Sequence, residues 1–110
     1  MEFLKNCPES VTALADLIEY RKGMVISMSL SRNEHFQLLL MAVSEGEEIT
    51  SEEYPGDTLY YCIDGSLPIQ KENQTFLLKA GDCLSIEAHT PHAIGGKGAF
   101  KVLQISCSQK

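Results

Sequence analysis

The hydrophobic positions near the start of the chain are spaced for a helix. Four apolar residues recur at intervals of three and four positions: Val11, Leu14, Ala15 and Ile18. That spacing places them on one face of an amphipathic α-helix. Pro8 suits the first helical position, and Gly23 suits the left-handed conformation that follows a helix. The pattern therefore predicts a short N-terminal α-helix over about residues 8–20.

After Gly23 the pattern changes to short apolar or alternating runs separated by turn residues. Such runs favour β-strands, and they cover residues 25–30, 36–43, 59–63, 67–70, 75–78, 83–86 and 100–106. Asp64-Gly65 and residues 95–98 are typical of hairpin turns. About eight or nine strands at this spacing are typical of a β-sandwich or barrel, and they disfavour a fold of alternating strands and helices.

Composition and charge exclude several kinds of partner. The chain has 110 residues and a net charge of −6. It is the size of one domain and lacks the basic excess that nucleic acids and anionic membranes attract. The longest apolar run, residues 38–43, is far too short to span a membrane. We therefore expect one domain, no nucleic-acid or membrane partner and a cytoplasmic location.

The cysteines do not form a pattern typical of metal binding. Cys7, Cys62, Cys83 and Cys107 are widely spaced, whereas zinc knuckles and redox dithiols use closely spaced pairs. The first residues also lack the apolar stretch of a secretory signal. We expect reduced thiols that pack as small apolar residues.

Two segments carry a distinctive arrangement of glycines, polar residues and turns. The first, residues 46–65, begins and ends on glycine and contains Pro55-Gly56-Asp57; the second, residues 81–96, contains Thr90-Pro91-His92-Ala93. Together they resemble the two sequence motifs of the cupin superfamily. The resemblance implies an all-β fold, the double-stranded β-helix of the cupin jelly-roll barrel, preceded here by one short N-terminal α-helix. Residues 1–33 would then hold the helix and a leading strand, and residues 34–110 the barrel.

The resemblance also locates the positions of the family's metal ligands, and this chain has replaced most of them. The family has two histidines, a glutamate and a further histidine at these positions. This chain has Glu52, Tyr54 and Thr58 at the first three and keeps the histidine only at His92. A threonine hydroxyl and a phenol with an ordinary pKa of about 10 are poor ligands, and even open metal sites use about three protein ligands. We therefore expect a degenerate metal site and no metal cofactor. The alternative is a weak or atypical divalent metal on His92 and Glu52, with a displaced donor from Asp57, Glu53 or His89.

Two functions remain open for such a barrel. The first is binding of a small molecule, a sugar or a small organic acid, without turnover. The second is an enzyme, either a metal-free isomerase or epimerase or a metal enzyme with replaced ligands. In the metal-free case Glu52 or His92 is the base and Tyr54 the acid, and together they move a proton next to a carbonyl. The family resemblance implies this chemistry, because some cupins that resemble sugar epimerases work in this way without a metal. Against catalysis, the three side chains would simply hydrogen-bond one another in the floor of a polar pocket.

Strand parity assigns further residues to the pocket. Successive side chains of a strand point to opposite faces, so the strand over residues 59–63 turns alternate residues inward. His89 is near His92 in the sequence, and we place it at the mouth of the barrel. The residues expected to line the ligand are Thr58, Tyr60, Cys62 and His89.

The other face of the same strand predicts the assembly. Leu59, Tyr61 and Ile63 alternate with the inward residues and form an apolar surface. A small isolated barrel also has open sheet edges, and a second copy of the chain would cover such surfaces. We therefore expect a homodimer.

Overall fold

The computed structural model describes residues 4–108, except for the side chain of residue 51. Within that range the chain forms eight β-strands and one 3₁₀ turn. The strands are β1 (Val25–Asn33), β2 (Phe36–Val43), β3 (Glu48–Glu52), β4 (Asp57–Lys71), β5 (Gln74–Lys79), β6 (Cys83–Ile86), β7 (His92–Gly95) and β8 (Phe100–Cys107). The predicted all-β fold is confirmed.

The strands pair antiparallel into one curled sheet. Its order is β1-β2-β8-β4-β7-β3, and β5 and β6 both pair with β4. The first part of β4 pairs with β6 and β8, and its last part pairs with β5 and β7. The inside of the curl is the main core, which includes Tyr60, Leu67, Ile69, Phe100 and Val102. This architecture is the expected jelly roll.

The prediction of a hairpin at Asp64-Gly65 is wrong. β4 continues through both residues, and its pairing with β8 shifts register between Cys62 and Asp64. The pair therefore forms a corner at which β4 passes from one half of the sheet to the other. Gly65 has a φ of +74°, and a Cβ there would lie 2.1 Å from the Ala99 carbonyl oxygen, so the corner requires glycine. Residues 95–98 do not form a hairpin either, because β7 and β8 pair with other strands.

The predicted helix over residues 8–20 is also wrong. Only Leu14–Leu17 forms a 3₁₀ turn, and the residues on both sides of it are extended. Thr12 Oγ1 donates a hydrogen bond to the Ser10 carbonyl oxygen at 3.0 Å, and such local bonds compete with helical hydrogen bonding. A segment this short has little intrinsic helix stability. Tertiary contacts of its apolar residues therefore decide its conformation.

Residues 4–22, the N-terminal strap, lie across the outer face of the sheet. The strap and the sheet form a second apolar cluster whose buried members are Ile18, Leu30, Leu40 and Ala42. The Tyr20 hydroxyl donates to Asp64 Oδ2 at 2.5 Å. Lys101 Nζ donates to the Ala15 carbonyl oxygen at 2.6 Å and lies 5.0 Å from the centre of the Tyr20 ring. Leu14 and Ile18 of the predicted apolar face therefore pack against the sheet from a strap, whereas Val11 is fully exposed.

The strap changes the face on which a dimer is expected. Ile63 packs against the strap cluster, whereas Tyr61 is 37% exposed. Part of the apolar face is thus covered by the chain itself, and Tyr61 with the half-buried Leu59 is the uncovered part.

Two other sequence features have a simple place in the structure. The four cysteines are free thiols, with Cys62 buried and Cys7, Cys83 and Cys107 exposed. Among residues 4–108 no helix is long and apolar enough to cross a membrane.

Candidate functional site

One end of the barrel interior is lined by polar side chains. Thr58 and Tyr60 on β4 are the register partners of Ser106 and Gln104 on β8. Thr58, Tyr60 and Gln104 are each at most 2% exposed. Cys62 is buried at the next inward position of β4, so the three side chains that parity turns inward do lie inside. Their contact with a ligand stays a prediction.

The opposite wall brings together the two candidate bases. Glu52 at the end of β3 is the register partner of His92 at the start of β7. His92 is 5% exposed and Glu52 is half-buried. Two residues that are forty positions apart in the sequence thus meet at the polar end of the barrel.

Two hydrogen bonds fix the tautomer of His92. Its Nδ1 lies 2.8 Å from the Thr90 carbonyl oxygen, and a carbonyl only accepts, so Nδ1 carries the proton. In the neutral ring Nε2 is then an acceptor, and the Tyr60 hydroxyl donates to it at 2.7 Å. The two rings meet edge to face, with centroids 5.5 Å apart. Burial, followed by the negative charge of ionised Tyr54 and of Glu52, raises the pKa of Tyr60, so its hydroxyl keeps its proton.

Tyr54 reaches into the same space from the connection between β3 and β4. Its hydroxyl donates to Glu52 Oε1, and its ring centre lies 6.2 Å from that of His92. Burial and the hydrogen bond to Glu52 raise the pKa of Tyr54 to about 12, although the neighbouring Gln104 amide and Tyr60 hydroxyl oppose the rise. At neutral pH both phenols are therefore hydrogen-bond donors.

Thr58 is also engaged by a neighbour. Its Oγ1 lies 3.0 Å from Ser106 Oγ, and either hydroxyl can be the donor. Of the residues at the family's four ligand positions, Glu52, Tyr54 and His92 thus meet directly or through Tyr60, and Thr58 pairs with Ser106.

The displaced donors considered from the sequence lie outside this space. His89 is exposed, has a φ of +63°, and donates its backbone N–H to the Tyr54 carbonyl oxygen at 2.8 Å. It joins two loops at the rim and lines a rim groove with Asp57. Asp57 Oδ1 accepts the Ala88 N–H at 3.0 Å, the role of a turn-capping carboxylate. Glu53 is exposed.

Cys62 belongs to the packed core below the polar end. Its thiol donates to the Asp64 carbonyl oxygen at 3.4 Å, and it is a member of the main apolar cluster. Burial raises the pKa of the Cys62 thiol. A raised pKa disfavours the thiolate, so the surroundings do not activate Cys62 as a nucleophile.

Gln104 is the polar residue that the sequence interpretation missed. It is 2% exposed, and its Nε2 is buried without a hydrogen-bond partner among the described residues. A signal was available in β8, where Phe100, Val102 and Gln104 occupy alternate positions. A glutamine on the inward side of an otherwise apolar strand indicates a buried polar role.

A cavity of about 250 Å³ opens at the mouth of the barrel beside this polar end. Its lining residues include Tyr54, Gln37, Ser106, Arg32 and His35. Tyr54 therefore lies between the open cavity and the polar end of the barrel, where Glu52 is half-buried and Tyr60, His92 and Gln104 are buried. Among residues 4–108 no group of three or more His, Cys, Asp or Glu side chains is arranged to hold a metal ion.

Comparison with known proteins places this geometry in a family. The family described as "Cupin domain" matches residues 39–106, which include most of β2, all of β3 to β7 and most of β8. No curated protein matches the chain.

Solved structures match over nearly the whole chain. A cupin superfamily protein from Desulfitobacterium hafniense is 43% identical, with a TM-score of 0.92 and coverage of 96% of this chain and 98% of that one. A conserved protein of unknown function from Streptococcus pyogenes is 21% identical, with a TM-score of 0.95 and coverage of 100% and 97%. The DMSP lyase DddQ from Ruegeria pomeroyi is 14% identical, with a TM-score of 0.68 and coverage of 77% and 47%. The last two likenesses show the fold alone.

Proposed function

Because the chain belongs to the cupin family, we propose that it binds a small polar molecule, a sugar or a small organic acid, without a bound metal. The site is the polar end of the barrel, formed by Glu52, Tyr54, Tyr60, His92 and Gln104. The observation that carries the proposal is the buried Gln104 Nε2, which has no hydrogen bond of normal geometry to any group within residues 4–108, although its neighbours are paired. A buried unpaired donor is costly, and a ligand that accepts from it removes that cost.

A divalent metal does not fit the side chains at the family's ligand positions. The Tyr54 hydroxyl keeps its proton and donates to Glu52, and Thr58 pairs with Ser106. His92 Nε2 accepts from the Tyr60 hydroxyl. A metal bound here would have to break each of these hydrogen bonds. It would gain only two good ligands, one carboxylate and one imidazole, whereas open metal sites use about three protein ligands. This arrangement supports the metal-free proposal.

Elemental analysis tests the metal-free part. Protein purified without chelators or added metal should contain no stoichiometric transition metal. The matched variants are His92→Ala, in the barrel, and His35→Ala, on an exposed turn. One metal ion per chain that is lost in His92→Ala and kept in His35→Ala would overturn the proposal.

Titration with a panel of sugars and small organic acids tests the binding part. We expect saturable binding that is weakened at least about tenfold by Glu52→Gln, since a charged acceptor is worth roughly 1.5–3 kcal/mol. Glu53→Gln is the matched control because Glu53 is the adjacent, exposed carboxylate. Absence of saturable binding for every panel member would refute the binding function.

A second candidate function is metal-free proton transfer, an isomerase- or epimerase-like activity. One observation favours it: Glu52 and His92, the two bases, are register partners and each accepts a hydrogen bond from a phenol. A base that removes a proton from a carbon next to a carbonyl, and an acid that protonates the resulting enolate oxygen, both have candidates here. Incorporation of deuterium from heavy water into keto-sugars, abolished by His92→Ala and kept in His35→Ala, would support it. No exchange above background would reject it.

We also propose that the chain forms a homodimer. The exposed Tyr61 beside half-buried Leu59, and the edge strand β1, which pairs only with β2 among the described strands, support it. Light scattering at micromolar concentration should give twice the chain mass of 12.2 kDa. A monodisperse monomer would refute the dimer.

A further inference from the structure

The Tyr54 hydroxyl is surrounded by complementary groups although it comes from a connecting segment rather than from a strand. It donates to Glu52 Oε1, and the Gln104 amide and the Tyr60 hydroxyl lie close enough to affect its ionisation. The protein thus presents an acceptor on one side of this hydroxyl and potential donors on the other. A hydroxyl group is able to serve both sides, because it donates once and accepts twice.

The donor side of this arrangement is incomplete. Gln104 Nε2 is buried and forms no hydrogen bond of normal geometry within residues 4–108, with the Tyr54 hydroxyl or any other group. The Tyr60 hydroxyl donates its single proton to His92 Nε2, so it has no proton left to donate to Tyr54. The Tyr54 hydroxyl therefore supplies a hydrogen bond to Glu52 but does not give the Gln104 amide a well-placed acceptor. It fulfils only one of the two hydrogen-bonding requirements at this point.

Tyr54 is also the side chain that separates this position from the exterior. It lines the mouth cavity of about 250 Å³ while its hydroxyl contacts the half-buried Glu52. Tyr54 is held at its backbone by the N–H of His89, at 2.8 Å from its carbonyl oxygen. Rotation of the side chain toward the mouth would open the buried groups and leave this backbone bond in place.

Charge restricts what can replace the Tyr54 hydroxyl. Glu52 has no ion-pair partner in the described part of the chain. A ligand carboxylate placed at the same position would face the Glu52 carboxylate at hydrogen-bond distance, and like charges that close repel by enough to cost about tenfold or more in affinity. A neutral hydroxyl avoids this repulsion.

From these contacts, and resting on the proposed binding function, we infer that the ligand is a neutral alcohol or polyol whose hydroxyl replaces that of Tyr54. The ligand hydroxyl donates to Glu52 and accepts from Gln104 Nε2, while Tyr54 swings toward the mouth. Tyr54 is then an internal substitute for the ligand, and Gln104 is a residue that determines specificity. Of the two ligand classes open from the sequence, the repulsion at Glu52 favours the uncharged sugar over an organic acid whose carboxylate takes the Tyr54 hydroxyl position.

The test uses pairs of probes that differ in charge but keep their hydroxyl. These are lactamide against lactate, and methyl glucoside against glucuronate; propionamide, which lacks the hydroxyl of lactamide, is the further control. Binding is followed by nitrogen–proton correlation spectra of the full chain, in which the Gln104 side-chain amide signal is identified by its loss in Gln104→Met. Gln70→Met, at an exposed position of β4, is the matched control.

We expect the neutral member of each pair to bind at least about tenfold more tightly than the anionic member and to shift the Gln104 amide signal. Gln104→Met should weaken neutral binding about fivefold, whereas Tyr54→Phe, which removes the competing hydroxyl, should strengthen it by a similar factor. Tighter binding of the acids, equal binding of propionamide, or unchanged affinity in Gln104→Met would overturn the inference and leave the binding function standing. Failure of all probes and of the wider sugar and acid panel would overturn both.

Discussion

Replacement of Gln104 by methionine should make the protein more stable. Gln104 Nε2 is buried without a hydrogen-bond partner among the described residues. An unsatisfied buried donor costs about 1–3 kcal/mol relative to a satisfied or absent one. Methionine has nearly the same length and volume and fills the space with an apolar side chain, so the repacking cost is below about 1.5 kcal/mol. The free energy of unfolding should therefore rise by about 1 kcal/mol, which corresponds to about 4–6 °C in Tm for a domain of this size.

Urea unfolding and calorimetry of Gln104→Met measure this change. Gln70→Met is the matched control, because Gln70 is exposed on the other side of the barrel wall and should change the free energy by less than about 0.5 kcal/mol. A decrease of about 1 kcal/mol in Gln104→Met, with Gln70→Met unchanged, would refute the reasoning. It would show that the amide has a hydrogen-bond partner in the folded protein, and the Tyr54 hydroxyl, which the amide influences, is a candidate.

The remaining predictions concern Tyr54, Gly65 and Tyr20. The pKa of Tyr54 is about 12 in the folded protein and 10.0 ordinarily; the unfolded chain therefore loses this proton first, and the free energy of unfolding should fall as pH rises between these values. Tyr54→Phe should weaken that fall, as urea unfolding at alkaline pH would show; an identical fall in the variant would contradict the assignment. Gly65→Ala should destabilise by roughly 3 kcal/mol or more, since its Cβ would overlap the Ala99 carbonyl at a positive φ; a loss below 1 kcal/mol in chemical denaturation would argue against the strained corner. Tyr20→Phe should cost about 0.5–1.5 kcal/mol through the lost bond to Asp64 and speed proteolysis within the N-terminal strap; unchanged proteolysis would show that this bond does not hold the strap.

The strands were largely predictable from the sequence, but their pairing was not. Residues 36–43 and 83–86 are strands as predicted, because continuous apolar or alternating runs report burial directly. Asp64-Gly65 favours a tight turn by local chemistry, yet β4 passes through it. A glycine at positive φ serves a hairpin and a sheet corner equally well, and only the partners on β8 decide between them.

The helix prediction for the N-terminal segment was wrong for a related reason. A spacing of three and four residues places side chains on one face of a helix, but Leu14, Leu17 and Ile18 reach the same sheet from a 3₁₀ turn and an extended residue. The hydrophobic pattern therefore reported correctly that Leu14 and Ile18 pack against the sheet, but Val11 of the same pattern is fully exposed. It did not report the backbone conformation, which contacts such as Tyr20 with Asp64 help to determine.

The part of the candidate site that depends on strand register was predictable from the sequence. Positions 52 and 92 meet as the family resemblance implies, because β3 and β7 pair at those residues. His89, assigned to the mouth by its closeness to His92, is at the rim with only its backbone bonded to Tyr54. Gln104 was missed because the family motifs end before β8, so no motif position pointed to it.

Tyr54 links the two functions that the site supports. While its hydroxyl donates to Glu52 and Tyr60 donates to His92, both bases are occupied by protons that belong to the protein. A ligand gains access to Glu52 Oε1 only when the Tyr54 hydroxyl moves away from it, and proton transfer to His92 further requires Nε2 to exchange its bond to Tyr60 for one to the substrate. Binding therefore needs one of these bonds to break, whereas catalysis by His92 needs both. Tyr54→Phe, which weakens only the first, should improve binding without by itself creating turnover.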